Sequence, residues 1–211
     1  MGETPDLAGR RLYLCTADRP DLERFLAACL RGGVDVVQLR DKVLPARLIL
    51  ERARLARAVC RDHGVPFILN DRPDLALDAE ADGVHVGQDD APAALARRLL
   101  GPNAIIGLST HGPADLDASA AQPVDYLSAG PINPTPTKPG RPGTGLGYLR
   151  YATTTASRPV FVTGGVTPES VGEMAAAGAT RFVVVRWLTE AADPEAHACA
   201  LANAIRRTQG G

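Results

Sequence analysis

Eight short apolar runs alternate with eight helix-patterned stretches along this chain, and no other feature restricts its fold as strongly. The runs span 11–16, 34–40, 65–70, 83–86, 104–110, 124–129, 159–163 and 180–185. Between and after them lie helical patterns at 18–31, 45–63, 73–81, 91–100, 113–121, 147–157, 168–177 and 194–207, several stopped by glycine (Gly32, Gly64, Gly101, Gly178). Asp18 or Asp21 is the expected N-cap of the first. Parallel strands need crossover connections, so strict alternation implies a parallel sheet. Runs that are apolar almost throughout imply a sheet covered on both faces. Eight such units in 211 residues close most simply into one α/β domain over 1–211, a (β/α)8 TIM barrel. An open doubly wound sheet is the alternative, but no G-x-G-x-x-G follows the first run, where Thr16-Ala17-Asp18-Arg19-Pro20 stands instead.

The net charge of -1 offers no footprint for nucleic acid or an anionic membrane, so any anion must be held locally. No stretch reads as a signal peptide or a membrane span. Cys15, Cys29, Cys60 and Cys199 form no C-x-x-C pair and read as reduced packing residues of a cytoplasmic chain.

After the sixth run comes Gly130 to Gly143, GPINPTPTKPGRPG, with five prolines and three glycines. Proline fixes φ and removes an amide donor, so this is neither helix nor central strand. On that stiffened backbone Thr135, Pro136, Thr137 and Lys138 place two hydroxyls and an ammonium at short spacing, which suits phosphate oxygens. A rigid surface loop with no ligand is the equal alternative.

Chemistry in such barrels sits at the C-terminal ends of the strands, and unusual polar residues gather there. The second run ends Gln38-Leu39-Arg40-Asp41-Lys42. By alternation Gln38, Arg40 and Lys42 share one face and Leu39 points toward the helices. Arg40 and Lys42 suit phosphate, the alternative being a strand end salt-bridged to Asp41. The third run ends Asn70-Asp71 and the fourth Gln88-Asp89-Asp90; adjacent strands lie about 4.8 Å apart, so Asp71 and Asp90 can share one Mg2+. The competing role for Asp89 or Asp90 is helix capping. The fifth ends Ser109-Thr110-His111, without the elbow of a serine hydrolase. His111 is a candidate proton carrier or a structural histidine; His85, inside a strand, reads as structural. The seventh ends Gly164-Gly165 before a helix and the eighth Val185-Arg186, positions where barrels often bind phosphate. Two anion sites result. Arg40, Lys42, Lys138 and a metal on Asp71 and Asp90 suit a diphosphate. Gly164-Gly165 amides with Thr135, Thr137 and Arg186 suit a monophosphate. Transfer with departure of diphosphate is the reaction this suggests.

In order, QLRDK, ND, GVHVGQDD, GLSTH, GPINPTPTK and the Gly-Gly pair make the chain resemble the thiamine-phosphate synthase family from the first strand to the eighth. The resemblance implies a (β/α)8 barrel joining 4-amino-5-hydroxymethyl-2-methylpyrimidine diphosphate to 4-methyl-5-(2-phosphoethyl)thiazole, giving thiamine phosphate and diphosphate with Mg2+ as cofactor. It implies that Gln38, Leu39, Arg40, Asp41, Lys42, Asn70, Ser109 and Lys138 hold the pyrimidine diphosphate, and that Asp71 and Asp90 hold the metal. It implies that Thr135, Pro136, Thr137, Gly165, Val185 and Arg186 hold the thiazole phosphate. Arg40, Ser109 and Lys138 would act on the leaving group. Arg186 and Asn133 depart from the family pattern, which often has Ser and an aromatic there. A thiazole tautomerase and a non-catalytic sensor on the same barrel are the rival functions. Expected partners are the two small substrates, with no nucleic acid or membrane, and a small homo-oligomer for the quaternary state.

Overall fold

A computed structural model describes residues 7–135 and 142–210. Its eight parallel strands are β1 (Leu12–Thr16), β2 (Val36–Leu39), β3 (Phe67–Asn70), β4 (Gly83–Val86), β5 (Ile105–Thr110), β6 (Tyr126–Ala129), β7 (Val160–Thr163) and β8 (Phe182–Val184), paired in chain order and closed by β8 on β1. The helices are α1 (Leu22–Arg31), α2 (Ala46–Asp62), α3 (Pro73–Asp78), α4 (Ala93–Leu100), α5 (Pro113–Ser119), α6 (Gly145–Thr155), α7 (Val171–Ala176), α8 (Arg186–Thr189) and α9 (Pro194–Gln209). The TIM barrel is therefore present, with elements mostly shorter than expected and one extra four-residue helix, α8, directly after β8.

Alternation along each strand sorts its side chains. Leu12, Leu14, Val37, Leu39, Leu69, Val84, Ile106, Leu127 and Val162 point outward into one large apolar layer shared with the helices. Tyr13, Val36, Ile68, Ile105, Tyr126, Phe161 and Val183 fill the barrel, closed below by Leu7. Above that aromatic layer the inward positions turn polar: Gln38, Asn70, His85, Ser109 and Ser128 are buried at the C-terminal end.

A carboxylate precedes three of the four even strands. Asp35 accepts the amides of Arg11 (2.6 Å) and Leu12 (2.9 Å), Asp82 that of Phe67 (2.8 Å), and Asp125 that of Ile106 (2.7 Å). Each ties the start of an odd strand to the next even one. Arg181 stands at the corresponding place before β8. Asp21 stands at the N-cap position of α1 as expected, but its side chain makes no capping hydrogen bond: it pairs with Arg19 (2.6 Å), and Asp18 with Arg52 (3.1 Å).

Candidate active site

A cavity of about 240 Å³ opens at the C-terminal mouth of the barrel. Gln38 and Arg40 of the β2 end, Asn70 of β3, Ser109 of β5, Thr135, Gly164, Gly165, Val185 and Arg186 all line it, although they span much of the chain. So do Tyr13, Cys15, His85 and Ser128, which the pattern of strand ends did not single out. Leu39 is turned outward and fully buried against the helices, so only its backbone faces this end. Pro136, Thr137 and Lys138 lie outside the described residues.

Arg40 makes no ion pair with Asp41; its amide donates to the Thr16 carbonyl (2.7 Å) and the residue lines the cavity. Asp41 is occupied in the loop beyond β2: its carboxylate accepts the amides of Val43 and Leu44 (both 2.9 Å) and, at 3.4 Å, of Asp18. Those hydrogen bonds hold its carboxyl below the usual range against the opposing effect of burial. The turn presents Lys42, whose Nζ lies 2.9 Å from Asp71 Oδ2; Asp41, Lys42, Asp71 and Asp90 are not among the residues that line the cavity.

Asp71 leaves β3 with φ of 63°, a left-handed conformation that Asp tolerates better than most residues. This turn brings its carboxyl into contact with Asp90. Burial first, and then Asp90 beside it, push the Asp71 carboxyl up; Lys42 opposes both. Asp90 is displaced the other way: burial would raise it, but Asp71, the Gly87 amide (2.8 Å) and Lys42 together bring it below the usual range. Two carboxyls in contact share a proton or a cation more readily than either does alone. Asp90 folds back on Gly87 and does not cap α4, whose first turn has no side-chain cap. No group of three or more His, Cys, Asp and Glu side chains suited to a metal exists among the described residues. A divalent cation at Asp71 and Asp90 would thus have two protein carboxylates, the donor set that Mg2+ takes when phosphate and water complete its shell.

On the opposite wall Gly164 and Gly165 both adopt positive φ (101° and 75°). A Cβ on Gly164 would lie 2.6 Å from the Ile132 amide nitrogen, so only glycine lets this loop pack against the β6–α6 connection. Asn133, which departs from the aromatic expected there, packs on Gly165. Arg186 lines the cavity mouth but binds Glu190 through Nε (2.6 Å) and a terminal nitrogen (3.0 Å). His111 is half-buried beside the cavity, bonded through Nδ1 to the Gly130 carbonyl and through its amide to Asp115.

The family model for thiamine monophosphate synthase matches residues 12–188, from the first strand into α8. The chain belongs to the thiamine monophosphate synthase family. Within that family it is 47% identical over 188 residues to a thiamine-phosphate synthase of Gloeobacter violaceus, covering 89% of this chain and 55% of that one. It is 47% identical over 193 residues to one of Acidothermus cellulolyticus, covering 89% and 91%. The chain thus spans about half the length of the first relative and nearly all of the second. A solved thiamine phosphate pyrophosphorylase of Pyrococcus furiosus superposes with a TM-score of 0.86 at 28% identity, over 95% of this chain and 98% of that one. The family's barrel and this chain's therefore agree in topology along almost their whole length.

Proposed function

We propose that this protein couples 4-amino-5-hydroxymethyl-2-methylpyrimidine diphosphate to 4-methyl-5-(2-phosphoethyl)thiazole, releasing diphosphate and thiamine phosphate. One observation carries the reading. A single cavity is lined by Arg40, Asn70 and Ser109 and by the Gly164–Gly165 loop, and the group of Lys42, Asp71 and Asp90, which is not part of that lining, follows the ends of the same β2, β3 and β4 strands.

Bound Mg2+, held by Asp71 and Asp90, would draw negative charge from the departing diphosphate. Arg40 and Lys42 act on the same charge as it develops, and Ser109 donates a hydrogen bond to the leaving group or the pyrimidine. The aminopyrimidine itself stabilises a methylene cation, so the carbon–oxygen bond can break before the new bond forms. Gly164 and Gly165 let backbone amides approach the thiazole phosphate and hold the ring nitrogen over that cation. Lys138, Thr137 and Pro136 are assigned to the same ligands, Lys138 with the diphosphate. Cys29, Cys60 and Cys199 are free thiols, which suits a cytoplasmic setting, and among the described residues no helix is long and apolar enough to cross a membrane.

The deciding assay supplies purified protein with Mg2+ and both substrates and follows diphosphate and thiamine phosphate. Stoichiometric appearance of both is expected. Tautomerisation of the thiazole without diphosphate release would overturn the assignment, and binding without any turnover would make the protein a sensor.

A further inference from the structure

Four side chains that line the cavity, Gln38, Tyr13, His85 and Ser109, join Tyr126 below them in one line of hydrogen bonds. Gln38 Nε2 donates to Tyr13 OH (2.7 Å), Tyr13 OH lies 2.8 Å from Tyr126 OH, Tyr126 OH lies 2.9 Å from His85 Nδ1, and His85 Nε2 lies 2.9 Å from Ser109 Oγ. At the far end Cys15 Sγ donates to Gln38 Oε1 (3.3 Å), which keeps the amide nitrogen toward Tyr13. Counting protons gives the line a direction. Tyr13 oxygen receives the amide hydrogen, and Tyr126 oxygen is the acceptor left for its own hydrogen, which otherwise stays buried and unpaired. The Tyr126 hydrogen then goes to His85 Nδ1. Burial raises both phenols, so they keep the protons this count requires. A ring nitrogen that accepts carries no proton, and the neutral imidazole therefore bears its hydrogen on Nε2, aimed at Ser109.

We propose that Gln38, Tyr13 and Tyr126 are positioning residues that lock His85 in the Nε2–H tautomer, so that Ser109 accepts from His85 and turns its own hydrogen into the cavity as a donor. A donor there faces an anionic or lone-pair atom of the ligand; that atom's identity rests on the function proposed above, whereas the lock belongs to the ligand-free protein. The fold makes room for it at one point: a Cβ on Gly107, in the strand between His85 and Tyr126, would overlap both the Tyr126 ring and His85 Nδ1. An ordinary satisfied core histidine needs no such clearance and no run of hydroxyls behind it.

The test is nitrogen-15 NMR of the labelled full chain, with His85 assigned by loss of its signals in His85→Gln. A neutral His85 ring protonated on Nε2 is expected. A proton on Nδ1, or on both nitrogens, overturns the lock, because the chain would then run the other way or be broken. Tyr126→Phe keeps the ring that packs on Tyr13 and Phe161 (centroids at 5.9 and 5.4 Å) but removes the hydroxyl. In it His85 should become a mixture of tautomers, and kcat should fall about tenfold with KM little changed, the loss of one well-aimed hydrogen bond. Unchanged tautomer or unchanged kcat in this variant overturns the positioning role. Should Tyr126→Phe fail to fold, the unsubstituted spectrum decides alone; should neither substrate react, the function falls and the spectrum still decides the lock.

Discussion

Lys42 Nζ sits 2.9 Å from Asp71 Oδ2, so this cation pairs with one of the two facing carboxyls and opposes the burial and the neighbouring Asp90 that push that carboxyl up. Under the proposed function Asp71 would turn to the metal and Lys42 to phosphate. Asp71→Asn tolerates the positive φ at this position and removes the charge. Diphosphate release is expected to fall by roughly 10²-fold or more while the melting temperature moves by no more than a few degrees. The Mg2+ concentration giving half-maximal rate should rise. Full turnover in this variant, or in excess chelator, would remove the metal from the mechanism.

Arg186 is expected to matter less than its place suggests. Glu190 holds its guanidinium at two points on the exposed side of α8. Arg186→Ala should leave the melting temperature within about 2 °C, as exposed pairs usually do. The KM for the thiazole phosphate should stay within about threefold of the parent value. Glu190→Gln frees the guanidinium, and in that protein the same KM should drop. Steady-state kinetics on the two variants separates a phosphate ligand from a tethered surface residue.

Asp35 makes stability depend on pH. Burial, first among the causes, pushes its carboxyl from 3.8 up to about 6, despite the two amides it accepts and the nearby Arg10 and Arg11. A folded-state value above the unfolded one means that the folded chain binds the extra proton. The resulting stability is full below about pH 4 and is lost as pH rises through about 6. Relative to Asp35→Asn, the parent protein should therefore lose up to about 3 kcal/mol between those limits. Urea unfolding of both proteins at pH 4, 5, 6 and 7 measures it; a constant difference would show that Asp35 titrates normally.

Glycines with positive φ should divide by what surrounds them. Gly64 has φ of 64° and nothing within 4 Å of where a Cβ would stand, so Gly64→Ala should cost only the backbone strain, about 1 kcal/mol. Gly164→Ala adds overlap with the Ile132 amide and Pro131 Cα and should cost about 3 kcal/mol, with loss of turnover. Chemical denaturation reports both.

The barrel was legible because its signal is repeated: eight apolar runs, eight crossovers, and strand parity that places Gln38 and Arg40 inside and Leu39 outside. α8 was not, since Arg186–Thr189 is one turn and shows no period. Strand ends marked Asn70, Asp71, Asp90, Ser109 and Gly164 as neighbours, but not what each does there. Asp41 and Asp90 are both acidic residues in loops; only coordinates tell that one shapes a turn while the other meets Asp71. Tyr13 and Tyr126 read as core because a single aromatic on a strand carries no mark of its hydroxyl's partner. Their parity with Cys15 and Ser128, each two residues on and also inward, was the available clue. Asp35, Asp82 and Asp125 form a second signal, an acid just ahead of every even strand but the last.

That last exception bears on where the barrel gives way. Of the four seams running from an odd strand to the next even one, three are clasped at the base by a carboxylate, and the seam from β7 to β8 carries Arg181 in its place. Directly above this seam stand Gly164, Gly165, Val185 and Arg186. Under the proposed function, the guest's phosphate would rest against the two staves that lack this carboxylate hoop.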